Sequence, residues 1–287
     1  MEIIKDWIIK LLNFALVGFD ESVADAATIL STGIDFNAAS SLSNTIAPFA
    51  NTILVIACLI ELCIGAAKME RLRWEDGVKI GVKLCLGKVC IELGSSILQA
   101  SYLQAQSWIN AFGTPDNSVL GEKVNKSINL LMTKVTGFGG AMGLLATALI
   151  MVLAIIVCGL LIKVMAYARI FELYAYIVVS PLPLAFAPLS GGGDVGLNNI
   201  TKRFLKSYAG VCLQGVMMLV VLKIFNTIIA TTLVTKVNEM FPSLTSGTVD
   251  VPKSLSELLY TMLLGSIALV VAVSKSGSWA KSIMDGA

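Results

Sequence analysis

The sequence predicts an all-α fold, a polytopic transmembrane helical bundle with about five spans and six as the alternative. Hydrophobic residues make up 56% of the chain and charged residues only 14%, whereas an ordinary soluble domain carries about 25% charged residues. Residues 138–162 contain no charged residue, and about 20 apolar residues in a helix cross the hydrocarbon core of a bilayer. A lipid bilayer is therefore the expected solvent of this chain.

Composition and charge argue against an enzyme and against direct nucleic-acid binding. The formal net charge is only +2, so the chain has no strongly basic surface that would neutralise phosphates. Histidine is absent, which removes the commonest general base and metal ligand. The six cysteines lie inside apolar stretches, and the spacing from Cys58 to Cys63 and from Cys85 to Cys90 matches no zinc-ligand pattern. We predict no catalytic residue, no metal site and no cofactor.

Residues 1–45 are predicted to form an amphipathic N-terminal helix and a connector. Apolar residues share one helical face and charged residues the other, which indicates an interfacial helix in contact with phospholipid. The alternative is that the same face packs on the protein's own core. The apolar face consists of Ile3, Ile4, Trp7, Ile8, Leu11, Leu12 and Ala15. The connector, residues 20–45, is rich in serine and is predicted to contain loop and a short helix.

The first span is predicted at residues 46–67, where Glu61 alone interrupts the apolar run. A basic cluster follows, so this end is expected to face the cytoplasm. Residues 68–137 are predicted to form a charged helix against the cytoplasmic side, over 77–104, and then an aqueous loop with a short helix over 105–136. The charged residues of that helix are Lys79, Lys83, Lys88 and Glu92. The alternative is that residues 77–104 cross the membrane.

The rest of the chain, residues 138–287, is predicted to be a four-span membrane core. Gly139 and Gly143 form a small-residue face that allows another helix to approach closely. The four spans are predicted at 138–162, 170–189, 207–232 and 255–274.

The span at 170–189 is predicted to be a kinked or broken helix, because Pro181, Pro183 and Pro188 cannot complete a helical hydrogen-bond ladder. Carbonyl groups freed in this way must be buried in protein or line a wet cavity. The segment is therefore a candidate functional wall.

Five spans place the N-terminus outside and the C-terminus inside the cytoplasmic membrane of the cell. In this orientation the basic clusters at 68–73, 202–206 and 275–281 all lie in the cytoplasm, as the positive-inside rule requires. A sixth crossing at 77–104 would place the last two clusters outside.

Four charged residues within the predicted spans or at their edges are candidate functional residues, because a charge in hydrocarbon is unfavourable unless it is paired or hydrated. They are Glu61, Arg169, Glu172 and Lys223. Arg169 and Glu172 are three residues apart and are expected to pair on one helical face. Lys223 has no acidic residue close by in the sequence, and in an oligomer it would form a positive ring around a lumen. A proton or ion relay would use such residues as titrating carriers, and the alternative is that they pair across helices or face a water-filled lumen between subunits.

Between Tyr167 and Val221 the sequence contains YARIFELYAYIVVSPLPLAFAPLS, a glycine-rich loop and NNITKRFLKSYAGVCLQGVMMLVV. This order of a proline-containing span, a short loop and an F-L-K-S-Y-A helix resembles the C-terminal half of the TrbL (VirB6-like) family, in the branch found in conjugative elements of Gram-positive gut bacteria. The Arg73-Trp74 step after the first span agrees with the same family.

The resemblance implies a channel or scaffold subunit of a conjugative type IV secretion system, which takes part in DNA and protein transfer across the cytoplasmic membrane. It also implies a homo-oligomer that contacts the secretion ATPases, other membrane subunits and, transiently, the translocating DNA with its relaxase. The alternative function is a secondary transporter or permease for a small solute. Transporters usually contain paired broken helices, and this sequence shows one such segment, at 181–188.

Overall fold

The structure, a computed structural model, describes residues 2–68, 74–113, 138–188, 198–245 and 251–286. These residues form seven α-helices and no strand, so the predicted all-α helical bundle is confirmed. The helices are α1 (Glu2–Thr32), α2 (Phe36–Lys68), α3 (Trp74–Phe112), α4 (Phe138–Val179), α5 (Pro181–Leu184), α6 (Asn198–Thr245) and α7 (Val251–Gly286).

Four of these helices are long and apolar enough to cross a membrane. The sequence predicted five spans, and the difference lies in α4. Residues 138–162 and the first half of 170–189 belong to this one continuous helix, because the intervening residues favour helix and Lys163 has an acidic partner. The candidate spans are Phe36–Cys63, Met142–Val179, Asn199–Ile228 and Leu259–Met284.

Two segments predicted to contain loop and a short helix are helical over most of their described residues, and residues 114–136 of the second lie outside the described part of the structure. The connector at 20–45 reduces to Gly33 and the two residues after it, since α1 continues to Thr32 and α2 starts at Phe36. The predicted loop from residue 105 is helical as far as Phe112, because serine, glutamine and asparagine are tolerated in a helix whose other residues pack. Both helices end before a glycine with positive φ, Gly33 at 83° and Gly113 at 70°, which is a common C-terminal stop signal.

The chain divides into two compact units. Unit 1 comprises Met1–Thr32, Ile109–Ala168 and Met217–Gly277. Unit 2 comprises Gly33–Trp108, Arg169–Val216 and Ser278–Ala287.

Unit 1 has a hydrophobic core built from α1, α4 and α7. Ile8, Leu12 and Ala15 of α1 are at most 1% exposed, so this part of the predicted amphipathic face packs on the protein itself. Ile3 and Trp7 of the same face stay exposed. These two side chains are available to contact lipid, and the interfacial position of α1 stays a prediction. The core partners on the other helices are Leu144, Ala148, Val152, Ile155, Leu259 and Met262.

Unit 2 contains a second core, in which α2 and α3 pack with the chain that follows α4. Its buried residues are Ala50, Leu54, Ala57, Cys58, Ile91 and Ala185. Helices α2 and α3 run antiparallel: Phe36 stacks near Tyr102, with ring centroids 5.3 Å apart, and Glu61 pairs with Lys83.

Candidate functional site

The proline segment after α4 is a break in the helix whose freed backbone groups find partners inside unit 2. Helix α4 ends at Val179, and Pro181 has no N–H to donate to the carbonyl of Ile177. Ser180 takes over this role, since its backbone N–H donates to that carbonyl at 3.3 Å and its hydroxyl donates at 2.8 Å. The hydroxyl of Thr201 on α6 donates to the carbonyl of Pro183 at 2.5 Å.

The same segment is largely covered by other side chains of unit 2. Pro181, Pro183, Leu184 and Ala185 are buried, and Ala185 belongs to the core formed with α2 and α3. Of the two possibilities for freed carbonyls, burial in protein or contact with a wet cavity, the single chain therefore shows burial at these described positions.

Two glycines on α3 allow this close packing. A Cβ atom added at Gly87 would lie 2.5 Å from Leu54 Cδ1 and 3.1 Å from Pro188 Cγ, and one added at Gly94 would overlap Leu184. The two glycines are seven residues apart and therefore lie on one face of the helix. The sequence analysis missed these two glycines. The available signal was their spacing of seven residues, which places them on the same helical face, and the structure buries Ile91 between them.

Glu61, predicted as an intramembrane charge, forms an ion pair with Lys83 of α3. The Glu61 and Lys83 side chains are 24% and 26% exposed, and Oε2 of Glu61 is buried without a hydrogen-bond partner. Lys88 and Glu92 form a second, looser pair on α3 at 3.9 Å. The pairing of Glu61 with a residue of the charged helix means that this helix runs beside the α2 span.

Arg169 and Glu172 lie on α4 and contact each other at 2.6 Å. The structure adds a pair that sequence reasoning missed, between Lys163 of α4 and Asp25 of α1, also at 2.6 Å. Lys163 was the detectable signal, because it follows the uncharged stretch 138–162 directly. These short pairs neutralise charge on a helix that is otherwise apolar.

Lys223 of α6 has a partner other than an acid. Its ammonium group donates a hydrogen bond to the carbonyl of Phe112, the last residue of α3. A cation at this position complements the negative end of the helix dipole and satisfies a carbonyl without an intrahelical partner. Lys223 is nevertheless an exposed residue of the single chain, and no salt bridge among the described residues includes it.

The predicted packing face at Gly139 and Gly143 has no partner helix within the single chain at the position that is described. A Cβ atom at Gly143 would meet no other atom within 4 Å. The surroundings of Gly139 lie outside the described part of the structure. Close packing at these glycines stays a prediction.

Aromatic side chains and hydroxyl groups tie α3, α4 and α6 together in unit 2. The buried hydroxyl of Tyr208 donates to the carbonyl of Leu98 at 2.8 Å, and its ring contacts Tyr176. Tyr176 also contacts Phe204, with ring centroids 5.6 Å apart. Among the described residues, no group of three or more histidine, cysteine, aspartate or glutamate side chains could hold a metal ion.

Comparison with known proteins identifies the family. Residues 22–181 match the family described as TrbL/VirB6 plasmid conjugal transfer like protein, which is more than half of the chain. The match confirms the predicted family, although it overlaps the run between Tyr167 and Val221 only as far as residue 181. No curated protein and no solved structure shows a significant match to the chain.

Proposed function

The chain belongs to the TrbL/VirB6 plasmid conjugal transfer-like family, and we propose that it is a channel or scaffold subunit of a conjugative type IV secretion system in the cytoplasmic membrane. In this role it takes part in moving DNA and its attached protein out of the donor cell. The observation that carries the proposal is the family match over residues 22–181.

The apolar surface of the four candidate spans supports the placement in a membrane. Only 22% of the apolar window in Phe36–Cys63 is buried, and in the most covered span, Asn199–Ile228, the share is 44%. The many exposed large apolar side chains would be unfavourable in water, so we expect them to contact lipid or other subunits. On α2 they include Phe49, Val55, Ile56, Leu59 and Ile60.

The proposal includes a homo-oligomer, because the candidate spans are at most 44% buried within the single chain and leave apolar surface that other chains can cover. Copies of the chain would meet through the open face at Gly143, where nothing lies within 4 Å of an added Cβ. The partners in the membrane are the other secretion subunits and the secretion ATPases, and the relaxase-bound DNA contacts the complex transiently.

The orientation that we propose has the N-terminus outside and the C-terminus inside. The basic clusters around Arg71, Arg203 and Lys281 then share the cytoplasmic side.

A mating assay tests the proposal. An in-frame deletion of the gene in its conjugative element should abolish transfer of the element, and expression of the wild-type chain from a second locus should restore it. Transfer at the wild-type frequency by the deletion strain would contradict the proposal.

A further inference from the structure

We infer that the start of α6 and the end of α7 form a binding site for the headgroup of an anionic phospholipid. The site is a basic cluster in unit 2, formed by Lys202, Arg203, Lys206 and Lys281. This inference rests on the membrane placement in the proposed function and not on the role in transfer.

The first argument is that the two ends of the basic cluster meet in space, although they are far apart in the chain. A Cβ atom added at Gly210 of α6 would lie 3.8 Å from Cγ of Lys281 and 4.0 Å from Cγ of Met284 on α7. Arg203 and Lys206 lie seven and four residues before Gly210, which places them on the same face of α6. The stem of Lys281 therefore packs on the α6 face that carries these two basic residues.

The second argument is that the cluster has positive charge without a matching acid. Residues 198–216 contain three basic residues and no acidic residue. Lys202, Arg203 and Lys281 are exposed, and no salt bridge among the described residues includes any of the three. These three side chains are therefore available to a negatively charged ligand from outside the chain.

The third argument is the depth at which the cluster lies. The candidate span Asn199–Ile228 begins here, and the candidate span Leu259–Met284 ends here. Residues 207–222, which follow Lys206, contain no charged residue. Since basic residues that border an apolar run lie at the level of the lipid headgroups, we expect the cluster to face that layer.

The fourth argument is that large apolar side chains lie in the same turns of both helices. Trp279 and Ile283 on α7 are 43% and 51% exposed, and Ile200 and Leu205 on α6 are 45% and 38% exposed. Tryptophan is enriched where a helix passes from hydrocarbon into the headgroup layer. A phospholipid offers an anionic phosphate to the cluster and acyl chains to these side chains, whereas a free anion matches only the charge.

The chemistry of the cluster suits a phosphate group. The guanidinium of Arg203 can donate two parallel hydrogen bonds to two oxygens of one phosphate, and the ammonium of Lys281 adds a mobile point charge from the neighbouring helix. A headgroup bound by both residues would connect α6 with α7 within unit 2. Because such a ligand binds the folded chain and not the unfolded one, it raises the stability of the protein.

The thermal unfolding midpoint of the purified full-length chain in neutral detergent tests the inference. We expect phosphatidylglycerol, an anionic phospholipid, to raise the midpoint of the wild-type chain more than zwitterionic phosphatidylcholine does. The double variant Arg203→Gln with Lys281→Gln should bind phosphatidylglycerol about 30-fold more weakly, since each basic residue near anionic lipid contributes about fivefold. Lys88→Gln, the same change at an exposed position of α3, should keep the wild-type response.

Three results would overturn the inference. They are an equal response of the wild-type chain to both lipids, an undiminished phosphatidylglycerol response of the double variant, and an equal response of the wild-type chain to soluble glycerol phosphate. The last result would show that the site takes a free anion.

A second measurement uses the wild-type chain alone and does not depend on the folding of a variant. The chain is reconstituted with equal amounts of the two lipids, extracted in mild detergent, and its retained lipids are identified by native mass spectrometry. We expect enrichment of phosphatidylglycerol that declines at high salt, because salt screens exposed charges. Equal retention of both lipids by a chain that supports transfer would contradict this inference alone, and selective retention by a chain whose deletion leaves transfer unchanged would contradict the proposed function alone.

Discussion

Helices α1 and α3 carry charged residues at similar intervals and neither is a candidate span, yet the structure places them differently. Helix α1 buries part of its apolar face in the core of unit 1, where Ile8 and Leu12 are at most 1% exposed, while Ile3 and Trp7 stay exposed. Helix α3 turns an apolar stripe outward and buries glycines against its neighbours. An apolar side that faces inward packs on the protein itself, whereas one that faces outward is available to lipid or to another subunit.

The direction of the neighbouring span separates the two helices further. In unit 1, α1 runs parallel to α4, because Ile8 packs with Leu144 near the start and Asp25 pairs with Lys163 near the end. In unit 2, α3 runs antiparallel to α2, because Phe36 lies near Tyr102 and Glu61 pairs with Lys83. Hydropathy alone does not distinguish these cases, but the direction of the partner helix does.

The largest expected effect follows from breaking the ion pair that joins α2 and α3. Glu61→Gln leaves the partly buried Lys83 ammonium without its carboxylate partner, and we expect it to lower the free energy of unfolding by roughly 2–3 kcal/mol. The thermal unfolding midpoint in detergent measures this loss. The exchanged pair, Glu61→Lys with Lys83→Glu, should recover most of it. An unchanged midpoint for Glu61→Gln would show that the pair contributes nothing.

Two glycines on α3 provide a matched comparison of its buried and open faces. Gly87→Ala places a methyl group against Leu54 and Pro188, and we expect it to lower the free energy of unfolding by about 1–2 kcal/mol. Gly81→Ala meets no atom within 4 Å and should raise it by about 0.5–1 kcal/mol, since alanine favours helix over glycine. Equal effects of both changes would contradict the packing of α3 on α2.

Substitutions at Lys223 distinguish two possible roles of this residue, a hydrogen-bond donor to the end of α3 in unit 1 and a positive charge that lines a lumen. Lys223→Leu removes the donor to the Phe112 carbonyl and should lower the free energy of unfolding by about 1 kcal/mol. Lys223→Gln keeps a donor but removes the charge. We expect assembly to survive both changes and mating frequency to fall in both. Wild-type transfer by Lys223→Gln would contradict a lumen role and leave the helix cap as the role of this residue.

The smallest expected effect concerns Asp20 on α1, where burial raises the carboxyl pKa from 3.8 to about 6. The native state holds this proton more tightly than the unfolded chain does. Its stabilising contribution is therefore complete below about pH 4 and is lost as the pH rises through about 6. We expect Asp20→Asn to raise the thermal midpoint at about pH 7.5 and to change it little at about pH 4. Glu21→Gln, at an exposed neighbouring position, is the control, and an equal response of both variants would contradict burial of Asp20.

Much of the fold followed from the sequence because long apolar runs and proline signals are local. The span at α2, the broken chain after α4 and the Arg169–Glu172 contact all depend on residues close together in the chain. The family also followed from local motifs around the proline segment, and the match over residues 22–181 confirmed it.

The features that sequence analysis missed depend on residues far apart in the chain. The continuous helix α4 keeps Lys163 because Asp25 lies beside it, and the charged helix α3 packs beside a span because Glu61 accepts Lys83. A hydropathy pattern treats each of these lysines as an unpaired charge, so it predicts that neither lies within or beside a span. The partner of Lys223 is a backbone carbonyl, and no pattern of side chains indicates such a contact.

The mass of the complex purified from its native host tests the central claim most directly. The protein is extracted in mild detergent, its mass is compared with that of the 30.4 kDa chain, and co-purifying proteins are identified. The account predicts a multiple of the chain mass with secretion ATPases and other secretion subunits attached. A monomer or dimer without these subunits that binds a small solute would contradict it and favour a transporter.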